Sequence, residues 1–531
     1  MMSEDSAYDY VIVGAGSAGC VLASRLSADP SRRVLLIEAG ERDDDPAFRM
    51  PLQWSRLVAG PHAWRHLTTP QAGLGGRGVY LPHGRVLGGS SSVNAQMWVR
   101  GHRADFDDWP QGEGDGWSYE VMEPYFRRAE RRAGEDGESG PYGTDGPMWI
   151  SDLREPNVAT AAFLEACAER GLRRLADLNE PDNSGFAPTP VNQYQGERWS
   201  VVDAYLRPAA GRPNLTVVTG ATAHAIVLDG GRATGVRYRT GDGHVRTAHA
   251  GREVLLSAGA IGSPHLLMLS GVGPAGALAE AGIPLRHELP GVGANLHDHP
   301  TCPVYVRCAQ PVTLLGAQDP AQLELWRRER RGLLGSNGGE AAAFVRSSPE
   351  LAAPDLELIF MPAAQGPHFP AGPPGHGLML TVVLLRPESR GSLRPAGPDP
   401  EQAPLIDPGY LTAPEDLPRI VAGLTIARDV LDAPALKPFV EGPMAPWRDT
   451  NDRDELAGYA RDHLTTIFHP AGTCAIGDVV DSRLRVRGLT GLRVVDASVM
   501  PVINRGHPQA VVVAIAERAA DLIRADRDQP R

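Results

Sequence analysis

The run Tyr10-Val11-Ile12-Val13-Gly14-Ala15-Gly16-Ser17-Ala18-Gly19 decides the fold of this chain. Its first four residues form an apolar strand pattern, and the glycines that follow make a G-x-G-x-x-G turn. An alanine-rich helical pattern comes next and leads to a second apolar strand, Val34-Leu35-Leu36-Ile37, which Glu38 follows. Strand, glycine turn, helix, strand and acid in this order predict a dinucleotide-binding βαβ unit.

The glycines and the acid of this unit each have a physical role in dinucleotide binding. Gly14 permits the tight turn, Gly16 lets the backbone approach a pyrophosphate, and Gly19 lets helix and strand pack closely. The helix N-terminus offers free N–H groups and a positive dipole end to the phosphates. We expect Glu38 to accept hydrogen bonds from ribose hydroxyls, which disfavours a 2′-phosphorylated cofactor.

Length and composition are those of an ordinary globular protein with several domains. The chain has 531 residues, of which 42% are hydrophobic and 22% charged. Because a single core stops growing at about 250–300 residues, this length predicts more than one domain. The net charge of -12 argues against nucleic-acid binding. Apolar runs fall short of the roughly 20 residues of a membrane span, so we expect none.

Cysteine usage and the start of the chain indicate the compartment. The cysteines are scattered without a C-x-x-C pair, which favours neither a disulfide framework nor a zinc site. The first strand begins within about ten residues of Met1, which leaves no room for a signal peptide. We therefore predict a cytoplasmic protein. The cysteines are Cys20, Cys167, Cys302, Cys308 and Cys474.

The rest of the chain predicts a cofactor domain interrupted by a second domain. A glycine- and serine-rich loop at 84–95 leads into an apolar segment, and such a loop can lay N–H groups against a polar ligand. Between about 300 and 450, strand patterns alternate with long Pro/Gly loops, notably 362–377, which we expect to border the substrate entrance. A strand pattern at 492–498 and a helical pattern at 509–524 then indicate further elements of the α/β cofactor domain.

Taken together, these segments resemble the glucose–methanol–choline (GMC) oxidoreductases, which are FAD-dependent enzymes. The resemblance covers nearly the whole chain, from Tyr8 to about Arg524, and depends on several motifs occurring in one order. The motifs are Gly14–Gly19 with Glu38, Arg85–Asn94 with Asp105-Phe106-Asp107, Gly259–Pro264 through Ser270–Pro274, Asn295–Pro300, His469–Cys474, Asp496–Pro501 and Gly506-His507-Pro508-Gln509.

The resemblance implies an α/β fold with a Rossmann-like FAD-binding domain and an inserted α+β substrate domain built on an antiparallel sheet. The FAD-binding domain would comprise residues 1–155, 195–305 and 455–531. The substrate-binding domain would comprise residues 156–194 and 306–454.

The resemblance also implies which residues bind FAD. Relatives that attach FAD covalently use a histidine in the glycine-serine loop, and the matching residue here is Val93, which cannot form that bond. We therefore expect non-covalent FAD. The implied cofactor-binding residues are Gly14, Gly16, Ser17, Ala18, Gly19, Glu38, Ala39, Arg85, Gly89, Ser90, Asn94, Ala95, Ala223, Ser257, Gly259, Asp496, Ala497, Pro508 and Gln509.

Oxidation of an alcohol by a flavin needs a base for the hydroxyl proton, and imidazole has a suitable ordinary pKa. Of the 16 histidines, His469 and His507 occupy the family's catalytic positions. We predict His469 as the general base, with His507 steadying the developing alkoxide. Without the motif match, a histidine in a Gly/Pro-rich turn is more often a structural hydrogen-bonding group. Many relatives carry asparagine at the position of His507, and the sequence leaves open which of the two histidines is the base.

Other residues are weaker candidates. Glu340 and Phe468 are candidate substrate contacts. For Glu340 the reason is that a glutamate at this position faces the substrate cation in choline-oxidising relatives. A structural hydrogen-bonding role fits Glu340 equally well. His297 and His299 lack the further ligands of a metal site, so we predict no metal there. Cys474 is expected to be a packed side chain rather than a nucleophile.

The predicted function is oxidation of a primary or secondary alcohol to a carbonyl compound by hydride transfer to flavin N5. The alternative is a non-redox or photochemical member of the family, of the hydroxynitrile lyase or fatty-acid photodecarboxylase type. We expect a small-molecule alcohol as substrate and either O2 or a carrier such as a quinone as electron acceptor. The sequence leaves open the alcohol itself, the choice between oxidase and dehydrogenase, and the oligomeric state.

Overall fold

The strand Tyr8–Val13 lies inside the first of two large sheets in the computed structural model, which describes residues 8–111, 116–132, 140–364 and 375–527. Its neighbours on the two sides pair with it in parallel, as a βαβ unit requires. In spatial order the strands are Leu215–Val218, Val34–Ile37, Tyr8–Val13, Val245–Leu256, Arg232–Arg239 and Thr222–Asp229, with Leu492–Val494 pairing parallel to Val245–Leu256.

Helices from both ends of the chain cover this sheet. The helix Ser17–Leu26 begins at the glycine turn and packs against the C-terminal helix Pro508–Arg527, which also contacts Tyr119–Ala129. Glu517 of the C-terminal helix is fully buried. Its carboxylate accepts hydrogen bonds from Arg25 and Tyr205 and forms a salt bridge with Arg128. The first and last parts of the chain therefore share one core.

The second sheet is antiparallel throughout. Its strands are almost entirely apolar and buried, and the helices Val158–Glu169, Asp416–Leu431 and Arg453–His463 pack against it. In spatial order the strands are Val440–Pro443, Pro300–Cys308, Gly377–Leu384, Leu356–Met361, Ala341–Val345 and Gly185–Pro188, with Thr465–Thr466 pairing with Pro300–Cys308. A mixed sheet with helices joined to an antiparallel sheet confirms the fold class predicted from the sequence.

Smaller elements connect the two sheets. The remaining helices are Trp54–Ala59, Arg207–Ala209, Gly259–Leu269, Ala275–Glu280 and Pro320–Glu329, with a π-helical segment at Val202–Leu206. Two-stranded sheets join Ala63–Leu67 to Tyr80–Gly84, Glu130–Arg131 to Met148–Trp149, Gln193–Tyr194 to Glu197–Arg198, Val272–Gly273 to His287–Glu288 and Ser392–Arg394 to Leu405–Asp407. The 3-10 turns are Pro46–Phe48, Pro51–Gln53, Ala72–Leu74, Gly89–Ser92, Arg103–Asp105, Leu314–Gln318, Leu333–Gly335, Pro434–Leu436 and Ala497–Val499.

One predicted strand is shorter in the structure, and part of one predicted loop lies outside the described residues. The strand predicted at 492–498 ends at Val494, because the Asp496 side chain accepts a hydrogen bond from the Ser498 N–H and caps a 3-10 turn instead. Of the loop at 362–377, residues 365–374 lie outside the described residues. Across the ranges that are described, no helix is long and apolar enough to cross a membrane.

Candidate active site

A cavity of about 680 Å³ extends from the glycine turn to the inner face of the second sheet. Its volume is in the usual range for a small-molecule or cofactor site. Of the predicted cofactor residues, all but Gly19 line it. They are Gly14, Gly16, Ser17, Ala18, Glu38, Ala39, Arg85, Gly89, Ser90, Asn94, Ala95, Ala223, Ser257, Gly259, Asp496, Ala497, Pro508 and Gln509.

The glycine turn has no room for side chains. Gly14 has φ +94°, and a Cβ on it would lie 2.5 Å from the carbonyl oxygen of Ser257. A Cβ on Gly19 would lie 1.9 Å from the carbonyl oxygen of Gly14, so Gly19 closes the turn from behind rather than lining the cavity. On the opposite loop, a Cβ on Gly89 would lie 2.8 Å from the Cα of Gly16. Two bare backbone segments thus meet at the cavity wall, which suits close approach of a pyrophosphate.

Glu38 stands at the end of the second strand, beside the glycine turn. Its carboxylate accepts hydrogen bonds from the N–H groups of Ala15 and Gly40, each at 2.8 Å. Burial raises the pKa of Glu38, and these backbone bonds oppose that shift. Since each carboxylate oxygen has two lone pairs, the side chain can still accept from ribose hydroxyls in the cavity.

Asp496 is a second buried carboxylate that lines the cavity. It accepts hydrogen bonds from the N–H of Gly259 at 2.9 Å and from the hydroxyls of Ser263 and Ser498. Burial raises its pKa, and these bonds lower it again. The carboxylate therefore holds the start of the helix Gly259–Leu269 against the cavity.

A polar pair at the other end of the cavity rests on a buried arginine. Asn94 donates a hydrogen bond to the Gln509 side-chain oxygen, and both residues line the cavity. The Arg198 guanidinium donates to the Asn94 side-chain oxygen at 2.8 Å and to the carbonyl oxygens of Ser91 and Phe48. Arg198 is only 1% exposed, and burial lowers its pKa to about 9. Sequence reasoning missed Arg198, since nothing in its local sequence marks it.

The two predicted catalytic histidines lie side by side on the cavity wall. The ring centroids of His469 and His507 are 5.1 Å apart, with the ring planes at 85°. On its far side, the His469 ring approaches His299, with 2.9 Å between the two Nδ1 atoms. Burial, followed by the neighbouring His507 and His299, places the pKa of His469 well below its ordinary value. His469 is therefore a neutral imidazole near pH 7.

A carboxylate that sequence reasoning missed lies behind His507. Glu357, on the strand Leu356–Met361, has its Oε1 atom 3.1 Å from the His507 Nε2 atom. Its side chain is completely buried, and its Oε2 atom has no hydrogen-bond partner among the described residues. The one charged residue in an otherwise apolar strand is a signal that the sequence does contain.

The two candidate substrate contacts have different positions. Phe468 lines the cavity and has φ +68°. Glu340 does not line it, because its carboxylate accepts hydrogen bonds from the Asn157 N–H and from the hydroxyls of Thr160 and Ser336. These contacts correspond to the structural role that the sequence also allowed for Glu340.

The remaining candidates are packed side chains. The Nδ1–H of His297 donates to the Asn295 carbonyl oxygen at 2.6 Å, and burial lowers the pKa of His297 to about 3. Burial holds the pKa of the Cys474 thiol well above its ordinary value. In the described part of the chain, no group of three His, Cys, Asp or Glu residues could hold a metal ion. Val93, at the covalent-attachment position, lines the cavity without a nucleophile.

The cavity has further lining residues that the motifs did not indicate. Trp64, His66 and His83 come from the paired strands Ala63–Leu67 and Tyr80–Gly84, and the Arg85 guanidinium lies 4.7 Å from the centroid of the Trp64 ring. His265 lines the helix side. Burial lowers the pKa of His83 to about 3 and those of His66 and His265 to about 4. The cavity thus contains several imidazoles that are neutral at ordinary pH.

This chain is similar in sequence to known proteins over nearly its whole length. Family models described as GMC oxidoreductase match residues 8–301 and 387–516. A GMC-type oxidoreductase of Mycobacterium tuberculosis, named as uncharacterized, is 46% identical over 98% of this chain and 100% of its own length. The alcohol dehydrogenase (acceptor) of Pseudomonas putida is 40% identical over 97% of this chain and 95% of its own.

Solved structures agree. Pyridoxine 4-oxidase from Mesorbium loti superposes with a TM-score of 0.87 at 33% identity, covering 99% of this chain and 100% of that chain. The Aspergillus oryzae formate oxidase, studied for modification of its FAD, superposes with a TM-score of 0.92 at 29% identity, covering 99% of both chains. The motifs, the glycine-lined cavity and these matches agree, and the chain belongs to the GMC oxidoreductase family.

Proposed function

We propose that this enzyme oxidises a primary or secondary alcohol to the carbonyl compound, with FAD as electron acceptor and a histidine as base. The observation that carries the proposal is the pair of cavity-lining imidazoles, His469 and His507, with ring centroids 5.1 Å apart. When bound, FAD supplies the hydride acceptor at N5. The chain itself must then hold the alcohol and remove its hydroxyl proton.

The residues around the cavity fit FAD at both ends. We assign Glu38 to the adenosine ribose, the glycine turn and Asp496 to the pyrophosphate region, and Asn94 with Gln509 to the flavin. Val93 supports non-covalent binding, because an aliphatic side chain cannot form the bond. The strands of the first sheet all fall within the segments 1–155, 195–305 and 455–531, which supports our division into domains. In the second sheet, however, the strand Pro300–Cys308 crosses the boundary at 305, and Thr465–Thr466 lies within 455–531. The five cysteines are buried and free, which supports a reducing compartment such as the cytoplasm.

The protonation state of the site suits proton abstraction. A neutral imidazole offers a ring nitrogen with a free lone pair, and the lowered pKa of His469 keeps that ring neutral while making it a weaker base. Two imidazoles on one wall can have different roles, because one can take the proton while the other donates a hydrogen bond to the alkoxide oxygen.

The wall of the cavity favours an uncharged alcohol with an apolar part. From the second sheet, the apolar residues Ile359, Met361 and Met379 line the cavity beside Thr301, Tyr305 and Thr381. Glu340 is occupied by three hydrogen bonds within the protein, so it does not offer a carboxylate to a substrate cation. The name of the Pseudomonas putida relative, an alcohol dehydrogenase, supports an alcohol as the substrate.

Anaerobic turnover with a dye acceptor tests the proposal. The panel comprises aliphatic, aromatic, choline-like and sugar alcohols, and the control is the double variant His469→Asn/His507→Asn with its FAD content measured. We expect the dye to be reduced in step with carbonyl formation from at least one uncharged alcohol. Carbonyl release from a cyanohydrin without dye reduction would instead indicate the non-redox alternative.

A further inference from the structure

Three neighbouring strands of the second large sheet present one face to the cavity. They are Pro300–Cys308, Gly377–Leu384 and Leu356–Met361. Because side chains alternate along a strand, residues two apart share this face. We call the cavity-lining residues of the three strands the sheet wall. Besides Thr381, they are Thr301, Pro303, Tyr305, Ile359, Met361 and Met379.

The strand pairing fixes where the sheet wall lies relative to the histidine pair. Glu357 pairs directly with Val383, and its carboxylate contacts His507, so this row of the sheet lies next to the histidines. The next row along the same face pairs Ile359 with Thr381. Diagonal neighbours across an antiparallel pair are about 7–8 Å apart. Thr381 therefore lies about that far from the row that carries Glu357.

Thr381 brings a hydroxyl into an otherwise apolar row. Its partners in that row are Ile359 and Pro303. Thr301, on the neighbouring strand, donates its hydroxyl hydrogen to the Val382 carbonyl oxygen at 2.9 Å, so that group is used within the sheet. In the described part of the chain the Thr381 hydroxyl forms no hydrogen bond, although the residue is only 6% exposed. A hydroxyl so enclosed gains a partner only from what occupies the cavity.

The rest of the sheet wall offers no charge to a ligand. Tyr305, its remaining hydroxyl, lies one row beyond Thr381, opposite Met379. Glu357 shares the face, but its carboxylate contacts His507 and it does not line the cavity. Among the described residues, the charged ones that line the cavity come from other segments, and they are Glu38, Arg65, Arg85, Arg239, Glu401 and Asp496. A neutral group therefore suits the sheet wall better than an ion.

We propose that Thr381 selects the substrate: an alcohol that carries a second, uncharged oxygen atom about 7–8 Å from its hydroxyl, with an apolar stretch between the two. The Thr381 hydroxyl donates a hydrogen bond to that oxygen, and the apolar stretch packs on Ile359. This inference rests on the proposed alcohol oxidation and names its substrate class. An aromatic ring with the oxygen para to the alcohol carbon, and an unbranched five-carbon chain ending in oxygen, both have roughly this spacing.

Two matched pairs of alcohols test the inference, because the members of each pair have the same shape and differ by one oxygen. The ring pair is 4-methoxybenzyl alcohol and 4-ethylbenzyl alcohol, and the chain pair is pentane-1,5-diol and hexan-1-ol. Anaerobic flavin reduction gives kcat/KM for each alcohol. The ratio within a pair is the preference for oxygen, and comparing this ratio between variants cancels the different hydration of the two alcohols.

Thr381→Val removes the hydroxyl and keeps the branched shape that suits a strand. One hydrogen bond between neutral groups contributes roughly 3- to 10-fold in affinity, so we expect the preference for oxygen to fall by that factor in at least one pair. Thr381→Ser retains the hydroxyl and should retain the preference. Ile359→Val is the matched control, because it shortens the cross-strand neighbour of Thr381 without removing a polar group. It should affect both members of a pair alike.

Binding of amides, which have no hydride to give, separates this inference from the proposed function. The pairs are 4-methoxybenzamide with 4-ethylbenzamide and 5-hydroxypentanamide with hexanamide. Their Kd values on the oxidised, FAD-loaded protein are read from the flavin absorbance. We expect Thr381→Val to lose the preference for oxygen here by the same factor.

The outcomes distinguish the two claims. Equal preferences in the parent and Thr381→Val for every pair, or a loss of preference that Ile359→Val shares, overturn the inference even where alcohols reduce the flavin. If no alcohol reduces the flavin while the amide preference disappears in Thr381→Val and persists in Thr381→Ser, the proposed oxidation fails and the binding role of Thr381 is supported.

Discussion

Replacing Arg198 by methionine removes a buried guanidinium that touches the cofactor cavity only through Asn94. The side chain donates hydrogen bonds to the Phe48 carbonyl oxygen at 3.1 Å, the Ser91 carbonyl oxygen at 3.2 Å and the Asn94 side-chain oxygen at 2.8 Å. Methionine fills a similar length without donating any of them. The first two losses destabilise the fold, and the third loosens the residue that we assign to the flavin.

The expected effect on FAD binding follows from the single bond to Asn94. A hydrogen bond to a charged group contributes about 1.5–3 kcal/mol. Asn94 keeps the hydrogen bond from the Gln96 N–H at 3.1 Å, so only this one anchor is lost. At 1.4 kcal/mol per factor of ten, the Kd of FAD should rise roughly 10- to 150-fold.

Calorimetric titration of the apoprotein with FAD measures this change, and Arg493→Met is the matched control. Arg493 is equally buried, but it pairs with Glu253 and Asp526 outside the cavity. Equal Kd values for the parent and Arg198→Met, or equal weakening in Arg493→Met, would refute the reasoning.

Three further predictions concern the cofactor, the pH and the core. Acid precipitation should release all FAD into the supernatant, because Val93 cannot hold it covalently; flavin retained by the pellet contradicts this. The melting temperature of the FAD-loaded protein should fall as pH decreases from about 6.5 to 5, because buried histidines with a pKa of about 3 stay neutral in the folded state while the same histidines take up protons in the unfolded state. Each of these histidines, His83, His297 and His299, should lower the free energy of unfolding by about 1.4 kcal/mol per pH unit. A melting temperature that does not change with pH would contradict this. Glu517→Ala should cost about 1–3 kcal/mol in denaturant unfolding, because the buried Tyr205 hydroxyl loses its acceptor, while Arg25 and Arg128 are partly exposed and Arg128 keeps its salt bridge with Asp521; a loss below 1 kcal/mol would contradict that role.

The residues that the sequence assigns to the cofactor come largely from local motifs. The turn at Gly14–Gly19 is determined in part by neighbouring residues, since a Cβ on Gly19 would meet the carbonyl oxygen of Gly14, whereas a Cβ on Gly14 would meet Ser257 from a distant part of the chain. Glu38 follows directly at the end of the next strand. In such motifs, neighbouring residues determine much of the geometry. The predicted cofactor residues, except Gly19, lie around one cavity.

The surroundings of the histidine pair and of Asn94 were harder to predict, because they are assembled from distant segments. Glu357 meets His507 across 150 residues of chain, and Arg198 meets Asn94 across 104. No local pattern encodes either contact. For Glu340, the motif gave the position, but only the packing around Thr160 and Ser336 determines that its carboxylate points away from the cavity.

The central claim is that this chain oxidises an alcohol through its flavin, with a cavity histidine removing the proton. Rapid anaerobic mixing of the FAD-loaded protein with a panel alcohol, in ordinary form and deuterated at the reacting carbon, tests it most directly. The account predicts bleaching of the flavin with one carbonyl product formed per flavin, a slower rate with the deuterated alcohol, and a rate that rises with pH. Carbonyl formation while the flavin stays oxidised, or flavin reduction at the parental rate in the FAD-loaded His469→Asn/His507→Asn variant, would contradict it.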